Sequence, residues 1–336
     1  MNLQEIYANA KNVTTTCKVC SICNGMACRG QIPGVGGKGL GNSFVSNYQK
    51  INDIKINLDT ICEDGEIDTS SYFFEHKVTL PVYAAPIAGI KAQYGSDMSE
   101  YDFAHALLKG AIDFGTYSFL GDNISLDVFQ NISEALEDFD GLGIPTIKPW
   151  QEDAMLTRFD MLSDNVIALA TDVDASGLVF LKNTNPSIRN LSINDLKILK
   201  EKWNKPLIIK GVMTVEGALK ALEANADGII VSNHGGRVLD DTLATIEVLH
   251  DICNVVGNKM KVFIDGGFRS GIDVFKALAL GADGVLIGRP LALMALSGKD
   301  EGVRLYLEKI QMELIETMMM TGCKTISDIK IEKICF

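Results

Sequence analysis

Residues Ala226–Asp240 read ADGIIVSNHGGRVLD, a short apolar run that ends in polar chemistry. Gly228–Val231 has the length and bounds of a buried strand. Ser232–Arg237 then sets an imidazole, His234, and a guanidinium, Arg237, around Gly235 and Gly236. The glycines would let a ligand approach the backbone closely. A histidine there can take a proton, and an arginine can grip a carboxylate through a fork of hydrogen bonds. An ordinary turn carrying the same two side chains is the plain alternative, so the flanking sequence decides between them.

From Pro81 onward, short apolar runs alternate with amphipathic helical stretches. The expected strands are Pro81–Ala85, Ala111–Thr116, Ile144–Lys148, Val166–Thr171, Pro206–Lys210, Gly228–Ser232, Lys261–Asp265 and Gly284–Ile287. Eight strands alternating with helices predict an α/β chain folded as a (β/α)8 TIM barrel. An open doubly wound sheet would need a G-x-G-x-x-G that follows a strand and opens a helix, and none does. In the barrel the C-terminal strand ends form one face, where Lys148, Asp174, Lys210, His234, Asp265 and Arg289 all fall. Asp265, Gly266, Gly267 and Arg269 follow the seventh strand, and Gly288 and Arg289 the eighth. Barrels commonly bind a cofactor phosphate there, with backbone N–H groups and two guanidiniums around the dianion.

SNHGGRVLD resembles the signature of the FMN-dependent 2-hydroxy acid oxidases and dehydrogenases, the glycolate oxidase and lactate oxidase family. Similar stretches are LIIKGVMTVEGAL at Leu207–Leu219, IDGGFRSGIDVFKALALGADGVLIGRP at Ile264–Pro290, and GCKTISDI near the C-terminus. The resemblance is dense from Pro206 onward and thin before it. It implies FMN in the phosphate site, with Ser232 also among the cofactor residues. It places Lys210 beside the flavin N1 and C2 carbonyl, where positive charge stabilises the reduced ring. It implies that His234 takes a proton from the substrate while a hydride equivalent passes to flavin N5, that Arg237 binds the carboxylate, and that Asp174 orients His234. Asp174 also reads as a loop cap after a strand. Within the barrel the chain departs from the family pattern at three places. Asp172 replaces a threonine, Lys148 stands where a substrate tyrosine is expected, and ASGLVFLKN offers no match to a second substrate arginine. An ammonium at Lys148 would favour an anionic group or adjust the flavin's charge, or else pair with a nearby carboxylate.

The first 75 residues read as a cysteine- and glycine-rich extension, with the barrel over residues 76–336. Cys17, Cys20, Cys23 and Cys28 follow C-x2-C-x2-C-x4-C, close to ferredoxin-type spacing but one residue longer in the last gap and without a following proline. A 4Fe-4S cluster or zinc would suit four such thiols, and plain reduced cysteines are the alternative. Six glycines between Gly30 and Gly41 could lie over a phosphate or form a surface loop, but the G-x4-G-K-[ST] spacing is absent. The substrate tyrosine that the resemblance places in this region has no counterpart. His76, His105 and His250 show no ligand spacing, and Cys62, Cys253, Cys323 and Cys335 are scattered. Met318–Met320 suit core packing or a subunit contact.

The chain has 336 residues, 47% of them hydrophobic and 22% charged, with net charge -12. This acidity argues against a sequence-independent grip on nucleic acid or an anionic membrane. No run approaches a membrane span, and MNLQEIYANAKN lacks a signal-peptide layout, so a cytoplasmic setting is expected. The functional expectation is oxidation of a small 2-hydroxy acid, with a protein electron acceptor and, from the resemblance, a homotetramer. The alternatives are a flavin enzyme similar to isopentenyl diphosphate isomerase, against which SNHGGR argues, and a non-catalytic flavin- or metal-binding redox module.

Overall fold

The computed structural model describes residues 1–178 and 181–336. The barrel strands are β1 (Val82–Ala84), β2 (Phe119–Leu120), β3 (Ile144–Ile147), β4 (Leu169–Asp172), β5 (Leu207–Val212), β6 (Gly228–Val231), β7 (Lys261–Ile264) and β8 (Gly284–Ile287). All pairings between them are parallel, running from β2 through to β8 and on to β1. A parallel bridge between Ala84 and Ser118 closes the ring. The chain is therefore a (β/α)8 barrel.

Period-two alternation decides which residues face inward. Tyr83, Phe119, Ile144, Ala170, Ile208, Ile230, Phe263 and Leu286, one from each strand, pack together inside the ring. Their flanking neighbours, among them Val82, Leu120, Leu169, Ile209, Ile229 and Val285, belong to the second core between the strands and the outer helices. The same parity carries upward. Two residues beyond Ile208, Ala170 and Phe263 come Lys210, Asp172 and Asp265, and two beyond Thr146 comes Lys148. A layer of charge thus sits on the apolar plug.

Seven expected strands lie within three residues of the observed ones at each end, and one does not. Ala111–Phe114 is the last turn of a helix, Glu100–Phe114, that buries Leu107, Leu108 and Ala111. Gly115, at φ +98°, ends that helix, and β2 begins only at Phe119. The apolar run reflects a buried helix face, which a short window does not distinguish from a buried strand.

The hairpin Ser71–Phe73/His76–Val78 spans the expected 75/76 boundary and plugs the N-terminal end of the barrel. Its Phe73 ring lies 5.3 Å from Tyr83 and 5.7 Å from Phe263. The helix Asn42–Asp53 lies across the opposite end. Its first turn has no side-chain cap of its own; instead the Asp240 carboxylate accepts from the amides of Leu40 at 2.8 Å and Ser43 at 2.9 Å. Asn47 and Asn233 exchange amide hydrogen bonds of 2.7 and 3.0 Å, fixing this helix to the loop that carries His234.

Candidate active site

A pocket at the C-terminal strand ends is lined by Lys148, Asp172, Lys210, His234, Arg237 and Asp265, with Gly266, Gly267, Arg269, Gly288 and Arg289 along one side. At its centre is Asp172, 5% exposed, whose carboxylate meets Lys148 Nζ at 3.1 Å, Lys210 Nζ at 3.2 Å and His234 Nδ1 at 3.4 Å. Burial by itself would raise this carboxyl. The charges of His234, Lys210 and Lys148 outweigh that and hold it well below the ordinary range. Lys210 also reaches Asp265 at 3.6 Å. Burial opposes its charge, but Asp172, Asp265 and Asp174 more than compensate and raise its pKa.

His234 follows β6 with φ +57°, the left-handed region that a histidine rarely adopts. Ser232 Oγ accepts from its amide at 3.0 Å, which helps hold the turn. The ring Nδ1 faces Asp174 Oδ1 at 3.0 Å as well as Asp172. Ionised carboxylates can only accept, so Nδ1 carries a proton, and in the neutral imidazole Nε2 keeps its lone pair for another partner. Burial and Lys210 press the His234 pKa down, while Asp172 and Asp174 press it up, and the result is raised from the ordinary value. Asp174 thus orients the ring. Its own pKa is raised by burial, and Oδ2 has no partner. A bulge in β5 makes room for it: Gly211 sits at φ +101°, and a Cβ there would lie 2.5 Å from Asp174 Cγ.

Gly235 lines the pocket, and both glycines after His234 also make room for other parts of the chain. A Cβ on Gly236 would meet the Phe44 amide at 2.6 Å, and one on Gly235 would meet Arg289 Nη1 at 2.7 Å. The arginines tie the N-terminal segment to the barrel. Arg237 donates to the carbonyls of Gly34 and Gly36, Arg289 to Val35 at 2.7 Å, and Arg269 to Cys23 at 3.0 Å. Arg289 also stacks on Phe44, 3.7 Å from the ring centre. Burial, and after it the neighbouring Arg289, bring the Arg237 pKa down to about 10, so it stays protonated.

The pocket face also holds Asp122, which sequence reasoning missed. This fully buried carboxylate accepts from Arg158 Nε at 2.9 Å, Trp150 Nε1 at 2.5 Å and the Lys148 amide at 3.0 Å. It follows β2 directly, so misplacing that strand hid it. Asp172 was visible only as a replaced threonine; inward parity two residues beyond Ala170 was the available signal. Ser232 turns its hydroxyl into the His234 loop and does not line the pocket. In ASGLVFLKN, Val179 and Phe180 lie outside the described residues.

Residues 146–335 match the model of the FMN-dependent dehydrogenases. The chain belongs to that family. A peroxisomal (S)-2-hydroxyacid oxidase of Arabidopsis thaliana is 48% identical to this FMN-dependent dehydrogenase family member over 140 residues, 42% of this chain and 39% of the relative. An L-lactate dehydrogenase of Pseudomonas paraeruginosa is 41% identical over 152 residues, 45% of this chain and 39% of the relative. The matched stretch therefore covers well under half of these relatives' length. A flavocytochrome b2 variant superposes with TM-score 0.79 at 26% identity, covering 99% of this chain and 86% of that one. A mandelate oxidase with benzoyl-formic acid gives TM-score 0.77 at 24% identity over 99% of this chain and 97% of that one, a likeness of fold.

The residues present fit the FMN that the family implies. Asp265 Oδ1 is buried without a partner beside the ammonium of Lys210. A Cβ on Gly288 would meet nothing closer than 3.6 Å, leaving its backbone open to a ligand. Arg269 and Arg289 each use at most three of the five guanidinium N–H donors on the chain itself.

Proposed function

We propose that this chain oxidises a small 2-hydroxy acid to the 2-oxo acid with FMN. The observation that carries the reading is the His234 imidazole, oriented through Nδ1 by two carboxylates, in one pocket with Arg237 and Lys210. Bound FMN supplies the acceptor for the hydrogen that leaves the substrate carbon. Lys210, Asp265, Gly266, Gly267, Arg269, Gly288 and Arg289 hold the cofactor, and Ser232 supports the loop beside it. His234 Nε2 takes the proton, and the adjacent carboxylates stabilise the imidazolium that results. Arg237 grips the substrate carboxylate. Lys148, on the same pocket wall and paired with Asp172, favours a substrate with a further anionic or polar group over glycolate or lactate.

The rest of the reading is a metal centre at Cys17, Cys20, Cys23 and Cys28, a protein electron acceptor, a homo-oligomer and a cytoplasmic setting. Eight unpaired cysteines suit a reducing compartment. No helix among the described residues is long and apolar enough to cross a membrane. Met312, Met319 and Met320 are exposed along and just beyond the helix Arg289–Met319, an apolar surface suited to a second copy.

The test is anaerobic. A panel of 2-hydroxy acids is added to the flavin-loaded protein, and loss of flavin absorbance is followed. One acid should bleach the flavin, and His234→Gln should slow that reduction about 100- to 10,000-fold. Flavin that binds normally but is reduced by no acid would refute the reading and favour an isomerase or a redox module.

A further inference from the structure

All four N-terminal cysteines line a second cavity of about 600 Å³, outside the barrel pocket. They belong to the stretch between the helices Leu3–Val13 and Asn42–Asp53, whose only regular element among the described residues is the short turn Met26–Cys28. A connection this long without structure of its own is uncommon in a compact domain and calls for something that fixes it. None of the four thiols is paired in a disulfide.

The charge around the cavity is one-sided. Lys11, Lys18, Lys309, Arg269 and Arg289 line it, and no Asp or Glu is among the described lining residues, in a chain whose net charge is -12. Such a lining suits an anionic occupant, which is what four thiolates around a metal centre make. Donors already point at sulfur: the Val19 amide lies 3.5 Å from Cys17 Sγ, and Arg269 Nη2 lies 3.6 Å from Cys23 Sγ. Hydrogen bonds of this kind orient thiolate ligands and tune the metal they hold.

The sulfurs are spread more widely than a single zinc would hold them. A single zinc with Zn–S bonds of about 2.3 Å brings its four sulfurs to about 3.8 Å from one another. Among the described residues no three of these thiols gather within 4.8 Å. A cubane cluster binds each thiolate through a separate iron and so holds its ligands farther apart, and the cavity is far larger than one ion requires. We propose that Cys17, Cys20, Cys23 and Cys28 bind a 4Fe-4S cluster in this cavity, with Arg269 joining it to the wall of the barrel pocket. This rests on reading the four cysteines as metal ligands and is independent of the 2-hydroxy acid activity.

The full chain is purified anaerobically, and iron, acid-labile sulfide, zinc and FMN are measured separately, with electron paramagnetic resonance after dithionite reduction. Four iron and four sulfide per chain are expected, with the signal of a reduced cluster. The double variant Cys23→Ser/Cys28→Ser should lose the iron and sulfide, whereas Cys335→Ser, at the other terminus, should keep both. Zinc without sulfide, no metal at all, or iron that survives the double variant would each overturn the proposal. The spectrum of the unmutated protein decides the matter even if the variant fails to fold. A sample with the cluster but no flavin would instead refute the FMN reading and leave this one standing.

Discussion

Asp172→Asn removes one negative charge from the middle of three positive groups. The carboxylate lies 3.1 Å from Lys148, 3.2 Å from Lys210 and 3.4 Å from His234. At an effective dielectric of about 20, each such contact is roughly 5 kcal/mol of Coulomb attraction, most of it offset by the cost of burying the charges. Breaking a buried pair from one side costs about 3–5 kcal/mol. Lys210 keeps Asp265 at 3.6 Å, so we expect the lower end, about 3 kcal/mol, or roughly 4 °C in thermal midpoint. The pH dependence has a definite sign. The lowered Asp172 pKa gives stability that is present above its unfolded value, about 3.9, and lost as pH falls through the folded one. The raised His234 pKa gives stability that is full below about 6.5 and lost as pH rises through the folded value. The deficit of Asp172→Asn should therefore be largest between about pH 3.9 and 6.5 and narrow above that. His234 must be neutral to act as a base, so the acid limb of the rate profile should lie above about pH 6.5 and move down in the variant. Thermal midpoints from pH 5 to 9 and flavin-reduction rates over the same range test both points. An unchanged midpoint together with an acid limb that stays put or moves up would refute the hub assignment.

Arg269→Ala should weaken FMN binding about 10- to 100-fold, since a hydrogen bond to a charged group is worth about 1.5–3 kcal/mol. Titration by quenching of flavin fluorescence measures it, and an unchanged Kd would remove Arg269 from the phosphate site. Gly110→Ala should destabilise the fold by about 1–3 kcal/mol. Its Cβ would lie 2.5 Å from the Asp300 carbonyl and 2.6 Å from Val303 Cβ, where the helix Glu100–Phe114 crosses the helix Arg289–Met319. Chemical denaturation reads that loss, and the flavin-reduction rate of the remaining folded protein should not change.

The sequence alone was enough for the barrel and for the face on which its charged residues gather. Seven strands were legible because alternation between short apolar runs and amphipathic helices is a local property. His234, Lys210, Asp265 and Lys148 could be placed at strand ends for the same reason. β2 was not legible, since a strand of two residues has no periodicity and the buried helix face before it imitates one. Asp122 was lost with it. Only the tertiary structure joined Asp172 to Lys148 and Lys210, residues on or just beyond three neighbouring strands whose side chains meet because those strands pair in register. It also showed that Gly235 and Gly236 admit Arg289 and the Phe44 backbone, and that four cysteines close in sequence line one cavity with cations from distant parts of the chain. Sequence pattern records the backbone geometry and exposed face of each segment. Which charges share a buried space depends on contacts between segments, and those exist only once the barrel has formed.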